Sequence, residues 1–241
     1  MNWGLVFVAF IFGGDIVHIP DGYLGPQTYG AMFGIMVPLW IKASRVLNKT
    51  LKSSQIPLIA IGAAFSFVIM MFNVPIPGGT TGHAVGGVLL SILIGPWATL
   101  LVITIVLVIQ ALIFGDGGIT AIGANCFNMG FILPFVGYYT YKLISGNSPL
   151  NSKRRIIAAG IGGYVGLNVA ALFTGIELGL QPIISHTDRG VPLYCPYPFS
   201  ITVPAMLGEH LMLFGWVEAI VTMAALAYLL RTNFIKEWEY A

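Results

Sequence analysis

The stretch PWATLLVITIVLVIQALIFG, residues 96–115, decides the class of fold. It contains no charged side chain. A run of about 20 apolar residues is long enough to cross the hydrocarbon core of a bilayer as a helix. At that depth the backbone must satisfy its own hydrogen bonds, which a helix does within one segment. This stretch is therefore predicted to be a transmembrane helix.

The rest of the chain has the same character. Of its 241 residues, 57% are hydrophobic and 8% are charged, and the mean hydropathy is +0.87. Soluble domains carry about 25% charged residues, so we predict an all-α polytopic membrane protein with about seven transmembrane helices. Only Gly95-Pro96 separates the third span from the fourth, so the short third span is expected to begin in a buried loop or to cross at a slant. The predicted spans are 27–47, 54–73, 83–95, 96–115, 123–144, 155–180 and 201–230.

The basic residues predict the orientation, because cytoplasmic loops hold the excess of Lys and Arg. Ten of the eleven fall on one predicted side, which places the C-terminus in the cytoplasm and residue 17 outside. The exception, Arg189, follows Asp188 in an outer loop. The net charge of +2 is thus a signal of topology, and no nucleic-acid patch is predicted. The ten residues are Lys42, Arg45, Lys49, Lys52, Lys142, Lys153, Arg154, Arg155, Arg231 and Lys236.

Several motifs of catalytic proteins are absent from the sequence. It contains no P-loop, no Gly-rich phosphate cradle, no HExxH and no GxSxG. The chain is therefore not predicted to hydrolyse ATP by itself or to be an enzyme. Two cysteines, Cys126 and Cys195, do not define a disulfide framework, and we favour two separate apolar residues over a bridge.

The histidines are the best candidates for ligands. His83 lies in PIPGGTTGHAVGG, residues 75–87, whose glycines allow the backbone to fold tightly. For His186, in an outer loop, an ordinary interfacial hydrogen bond is expected. Imidazole suits nickel, cobalt, zinc and copper, whereas magnesium and calcium need clusters of oxygen ligands. A transition metal is therefore the favoured ligand. The four histidines are His18, His83, His186 and His210.

Further polar residues surround these candidates. The stretch FGDGGITAIGANCFN, residues 114–128, carries one acid and two amides, and the predicted sixth and seventh spans contain Glu177 and Glu218. Such groups more often support a site through hydrogen bonds than ligate the ion. Four residues are predicted to hydrogen-bond the ligand segment or one another: Asp21, Asn125, Asn128 and His210.

Four segments of the sequence resemble one family. They are HIPDGYL (18–24), PGGTTGHAVGG (77–87), LIGPWATLLVITIVLVIQALIFGDGGITAIGANCFNMG (93–130) and PAMLGEHLMLFGWVEAIVT (204–222). They are similar to the CbiM/NikM substrate-binding components of energy-coupling factor transporters. The resemblance implies a prokaryotic plasma-membrane subunit that captures Co(II) or Ni(II) outside, as cargo and not as a cofactor. It also implies a transmembrane coupling protein and two ATPases as partners, with or without a small accessory membrane subunit.

The resemblance implies a specific ligand set. In that family the metal is held by a planar set of nitrogens: the terminal amine, the amide and ring of the second residue, and a histidine from the Gly-rich loop. On this chain these are the amine of Val17, the amide and ring of His18, and the ring of His83. Four nitrogens in a plane favour Ni(II), Cu(II) or low-spin Co(II) over tetrahedral zinc. They do not separate nickel from cobalt.

The sequence departs from this pattern at residue 17, which is a valine preceded by sixteen residues and so has no amine as written. A secretory signal fits poorly, because residues 1–16 have no basic start and no A-x-A site. A further spanning helix also fits poorly, since the run is too short. We favour translation from codon 17, because GUG encodes valine and can initiate, and codons 13–15 can spell a ribosome-binding sequence. Residues 1–16 are then an untranslated or removed leader, and 17–241 form one transmembrane domain.

Two further hypotheses concern partners and alternatives. Gly30 and Gly34 form a small-xxx-small pair, which predicts that the coupling protein packs against the first span. Packing inside the bundle is the alternative. For the whole chain, a stand-alone metal permease and an intramembrane metalloenzyme remain alternatives to the importer subunit.

Overall fold

The computed structural model describes residues 18–50, 55–76 and 80–232. Within these ranges the chain forms seven helical segments and one hairpin. The helices are α1 (Pro26–Thr50), α2 (Ile56–Met70), α3 (Gly87–Ile94), α4 (Pro96–Phe114), α5 (Ile122–Asn125, Cys126–Ile132 and Leu133–Ser145 in succession), α6 (Lys153–Ile184) and α7 (Phe199–Arg231), and the strands are β1 (Val74–Ile76) and β2 (Thr80–Gly82).

Each predicted span overlaps one of these helices, but not all of the helices are long enough to cross a bilayer. Four are sufficiently long and apolar by length and composition, namely α1, α4, α6 and α7. In contrast, α2 has 15 residues and α3 has 8, fewer than the roughly 20 that a full crossing needs. In the described part of the chain, the structure therefore supports seven helices and four candidate membrane spans.

The short helix α3 explains the weak division seen in the sequence. Gly95 adopts a φ of 82°, in a region that residues with a side chain rarely enter, and Pro96 then begins α4. On the other side, residues 82–86 form a buried non-helical segment that leads into α3. As expected, the third predicted span begins in a buried loop, and this loop carries His83.

The hairpin before this loop was not predicted. β1 pairs with β2 in antiparallel register, with Val74 opposite Gly82 and Ile76 opposite Thr80. His83 follows directly after β2. The hairpin thereby fixes where the chain enters the bundle and where the histidine is presented.

Helix α6 lies at the centre of the bundle, between α5 and α7. Small residues allow close approach of the helix backbones, since a Cβ added at Gly166 would lie 2.6 Å from the carbonyl oxygen of Leu133 in α5. The buried apolar core continues through α4, whose Leu100, Ile103 and Val106 are almost fully buried. α5, α6 and α7 form much of the wall of an internal cavity.

Candidate metal site

Two histidines that are 65 positions apart in sequence meet in the interior. His18 is 5% exposed and His83 is 7% exposed. Their ring centroids lie 5.1 Å apart, with the ring planes at 89° to each other. Both rings line a cavity of about 70 Å³, which Asn125, Asn128 and His210 also line. The cavity is large enough for an ion with few or no waters, at about 30 Å³ per water molecule.

Hydrogen bonds define which ring nitrogens can bind an ion. His83 Nδ1 lies 3.0 Å from the carbonyl oxygen of Ala84. Because a carbonyl only accepts, Nδ1 carries the proton, and Nε2 keeps its lone pair. His18 Nδ1 lies 3.3 Å from Asp116 Oδ1, and neither ring nitrogen of His18 has a hydrogen-bond partner among the described residues. Buried ring nitrogens are normally paired, so this arrangement favours a bound ligand.

The backbone next to His18 is clamped by Asn125, which is 4% exposed. The amide of Ile19 donates to Asn125 Oδ1 at 3.1 Å, and Asn125 Nδ2 donates back to the Ile19 carbonyl at 3.1 Å. The same carbonyl accepts from the amide of Gly118 at 2.9 Å. These three bonds hold the residue after His18 in a fixed position.

Asp21 connects the same segment to the loop between α4 and α5. Its carboxylate accepts from the amides of Ile119 at 3.1 Å and Thr120 at 2.8 Å, and from the Thr120 hydroxyl. The Thr120 hydroxyl is the main cause that lowers the pKa of Asp21, against a smaller opposing effect of desolvation. A Cβ at Gly118 would lie 2.3 Å from the Asp21 amide nitrogen. Only glycine fits this contact without a shift of the backbone.

Asn128 and His210 have other partners. Asn128 Nδ2 donates to Glu177 Oε2 at 2.8 Å, and His210 Nδ1 lies 2.8 Å from the carbonyl oxygen of Met206 in its own helix. Both residues lie in π-helical segments, which often mark functional sites. The structure thus places three of the four predicted supporting residues in the wall of the histidine cavity, namely Asn125, Asn128 and His210. Only Asp21 and Asn125 hold the segment that follows His18.

Three residues outside the predicted set also position this site. Glu218 is fully buried, and its carboxyl group accepts from the amides of Val85 at 2.7 Å and Gly86 at 3.1 Å, which fixes the loop after His83. Gln181 accepts from the amide of Gly25 at 2.9 Å, and Asp116 lies beside His18. The sequence does contain a signal that could have identified these three residues, because each is a polar residue in or near an apolar span.

The remaining sequence predictions have mixed outcomes. Val17 lies outside the described residues. Among the residues that the structure describes, no group of three or more His, Cys, Asp and Glu side chains could hold a metal ion. His186 is exposed and bonds the carbonyl oxygen of Thr187, as expected for an ordinary loop histidine. Cys126 and Cys195 are both buried and unbridged, and burial raises the pKa of the Cys195 thiol.

Replacing Asn125 with alanine is expected to weaken Ni(II) and Co(II) binding about 10- to 100-fold, as loss of a group that orients a ligand does. The cause is the loss of both side-chain bonds to Ile19, which frees the backbone beside His18. Isothermal titration with each metal measures the effect. Asn168→Ala is the matched control, because this buried asparagine donates to Tyr164 in its own helix. Equal losses in the two variants would contradict the role of the clamp.

A buried pair of imidazoles within a bundle of apolar helices is typical of a membrane protein that handles a transition metal. The model of the family CbiM, described as the cobalt uptake substrate-specific transmembrane region, matches residues 18–234. The chain belongs to the CbiM family.

Relatives in bacteria and archaea support this assignment. The chain is 51% identical to a probable fused nickel transport protein LarMN of Lactiplantibacillus plantarum and 50% identical to a fused nickel transport protein NikMN of Rhodobacter capsulatus. These matches cover 89% and 90% of this chain but only 65% and 62% of the relatives, so the chain spans less than two thirds of their length. A putative metal transport protein of Methanocaldococcus jannaschii is 51% identical over 88% of this chain and 90% of its own length.

Two crystal structures of transition metal transporters share the fold. One, described as truncated, has a TM-score of 0.84 and 52% identity, and covers 90% of this chain and 99% of its own. The other has a TM-score of 0.85 and 50% identity, and covers 93% of this chain and 98% of its own. The bundle is therefore the fold of a membrane transport protein.

Proposed function

We propose that this chain is the metal-capturing membrane subunit of an ATP-driven energy-coupling factor importer for Co(II) or Ni(II). The observation that carries the proposal is the meeting of His18 and His83 in one buried cavity. The names of the relatives, which refer to nickel and metal transport, support the same cargo. The subunit is proposed to cross a prokaryotic plasma membrane several times, with the histidines at the outer face and the C-terminus inside.

The proposed ligands are four nitrogens in a plane: the amine of residue 17, the amide and ring of His18, and Nε2 of His83. A main-chain nitrogen and Nδ1 of the same histidine close a six-membered chelate ring, whereas Nε2 cannot reach the same ion. An ion at His18 Nδ1 would replace the proton that faces Asp116, 3.3 Å away. The carboxylate then lies close to the bound ion, where its negative charge stabilises the cation. This set contains the side chains of His18 and His83 and two main-chain nitrogens.

Capture joins two separate parts of the chain. His18 belongs to the segment that Asn125 and Asp21 hold against the loop before α5, and His83 belongs to the loop that Glu218 holds at the start of α3. An ion that binds both rings links these two clamped segments. Since the amine and the amide must each release a proton, affinity is expected to rise with pH.

The test measures binding and transport separately. The purified chain that begins at residue 17 should bind Ni(II) or Co(II) at one site per molecule in isothermal titration, without any partner. Cells that express the chain with its coupling protein and ATPases should accumulate the metal, and an ATPase variant unable to hydrolyse ATP should not. Binding of neither metal to the purified chain would overturn the capture site.

A stand-alone permease is the second candidate. Two relatives are named as fused nickel transport proteins, and the chain covers only 65% and 62% of their length. In that case the chain, alone or with a protein that corresponds to the unmatched part of these relatives, would import metal without an ATPase. Metal uptake by cells that lack the coupling protein and both ATPases would favour this candidate over the importer subunit.

The proposed contact with the coupling protein lies on α1. A Cβ added at Gly30 or at Gly34 would meet no atom within 4 Å in the described part of the chain. Both glycines therefore face away from the described bundle, which argues against their use in packing between its own helices. A helix surface made of small residues lets a partner helix approach closely.

Replacing both glycines with leucine is expected to abolish co-purification with the coupling protein and to leave metal binding unchanged. The larger side chains would keep the partner helix away, whereas the histidines lie elsewhere. Affinity purification through a tag on the coupling protein measures assembly. Gly208→Leu on α7, where a Cβ also meets no neighbour within 4 Å, is the control. A doubly substituted chain that still assembles would disprove the proposed contact.

A further inference from the structure

A second cavity, of about 270 Å³, lies at the other end of the bundle. Along α6, the histidine cavity is lined by residues 167–174 and the second cavity by Arg155. With a rise of 1.5 Å per residue, the two are separated by roughly 18 Å along this helix. The volume lies near the lower limit of about 300 Å³ for small-molecule pockets. It accommodates a compact headgroup with the first carbons of a chain.

The lining of this cavity has an apolar side and a basic side. Leucines from three helices form the apolar side: Leu58 of α2, Leu93 of α3, and Leu226 and Leu230 of α7. On the basic side lie Lys142 and Arg155, and Tyr138 and Tyr141 also line the cavity. A ligand that matches both sides carries an anion attached to an apolar chain.

The two cations are available for such a ligand. Arg155 Nε donates to the carbonyl oxygen of Ser148 at 2.8 Å, and its Nη1 donates to Tyr141 Oη at 3.1 Å. These bonds fix the guanidinium group but use only two of its five N–H groups. The Lys142 ammonium lies 5.8 Å from the ring centroid of Tyr138. Neither cation has a carboxylate partner in the described part of the chain.

The sequence around the cavity has an excess of positive charge. Residues 117–176, which include all of α5 and most of α6, contain four basic residues and no Asp or Glu. No acid occurs between Asp21 and Asp116 either, so α2 and α3 bring none to the cavity. The acids of α7, Glu209 and Glu218, precede its lining residue Leu226 by eight or more positions, about 12 Å along the helix, so they do not neutralise the basic side. An anion that enters would gain attraction from several cations at once.

We propose that this cavity binds an anionic phospholipid of the inner leaflet. Lys142 and Arg155 hold the lipid phosphate, and the leucines contact the first carbons of an acyl chain. The basic residues place this end of the bundle at the cytoplasmic surface, where anionic lipids are found. The proposal does not depend on metal capture, because the two cavities lie at opposite ends of α6.

Native mass spectrometry of the full chain, released from membranes with equal amounts of phosphatidylglycerol and phosphatidylcholine of the same acyl chains, tests this proposal. The wild-type protein should retain more phosphatidylglycerol than phosphatidylcholine. Lys142→Gln should lower its retention about fivefold, the effect of roughly one basic residue near a lipid surface. Leu230→Trp should also lower it, since it fills the apolar side without a change of charge. Both variants should keep the thermal unfolding midpoint of the wild type, which shows that they are folded.

Lys153→Gln is the matched control, because Lys153 is exposed at the same end of the bundle and does not line the cavity. It should retain the lipid like the wild type. Equal losses in the Lys142 and Lys153 variants would show general surface attraction and overturn the site. So would equal retention of both lipids, or displacement of the lipid by millimolar inorganic phosphate. Lipid binding that appears only after removal of residues 233–241 would also overturn it, with the chain itself as the occupant.

Discussion

Replacing His83 with alanine is expected to lower the affinity for Ni(II) and Co(II) by more than about 100-fold, the upper range for loss of a group that merely orients a ligand. The substitution removes Nε2, the one proposed ligand that does not come from residues 17 and 18. The donors that remain cannot complete a plane of four nitrogens. Isothermal titration of the purified chain that begins at residue 17, with each metal, measures the loss.

A control separates this effect from damage to the fold. The hydrogen bond of His83 Nδ1 goes to the carbonyl of its own neighbour, Ala84, so the alanine variant should keep the thermal unfolding midpoint of the metal-free protein. His186→Ala, a substitution of an exposed loop histidine, should bind metal normally. An alanine variant at position 83 that binds both metals as tightly as the wild type would eliminate this residue as a ligand.

The helices of the fold were largely predictable from the sequence, and their lengths were not. Apolar runs identified all seven helical segments, because burial in lipid or in the bundle demands such runs. Hydropathy does not show where the backbone leaves the helix inside an apolar run. Residues 83–86 are as buried as the helix that follows, yet they form a loop that leads into the eight residues of α3. The hairpin of β1 and β2 was missed for a related reason, since strands of three residues carry no measurable alternation.

For the site, the sequence indicated residue types but not their partners. Asp21 and Asn125 were expected near the ligand segment, and the structure places them on it. Asn128 was expected to do the same, but it lies one further turn along α5 and reaches Glu177 in α6 instead. Glu218 was visible as an acid in an apolar span. Its role at the loop of His83 depends on the packing of α7 against α3, over a separation of more than 130 positions, which no local pattern encodes.

Metal binding is expected to require a free amine at residue 17. The rings of His18 and His83 supply two ligands, and two-coordinate sites rarely compete with buffer for a divalent ion. The amine and the neighbouring amide add two nitrogens and close chelate rings with His18, which sets the plane that Ni(II) prefers. In a chain extended by residues 1–16, the nitrogen of Val17 belongs to a peptide bond and cannot take the place of the amine.

The experiment compares two forms of the protein. One begins at codon 17, read as an initiator methionine, and the other has Val17 recoded to GUU, so that only the longer chain is made. The shorter form should bind Ni(II) and Co(II) more than about 100-fold more tightly, since it alone has the complete set of ligands. Its affinity should also rise more steeply with pH, because the amine and the amide must both lose protons. Equal affinity in the two forms would refute the amine ligand and require a site made of side chains alone.

Introducing His83→Ala into both forms makes the comparison sharper. If the amine and His83 bind the same ion, the two losses cannot add, because a site that has already lost one ligand has little affinity left to lose. The substitution should therefore weaken the shorter form strongly and the longer form only slightly. Losses of equal size in both forms would place His83 and the amine at separate sites. In that case the meeting of the two imidazole rings would have to be explained without a shared metal.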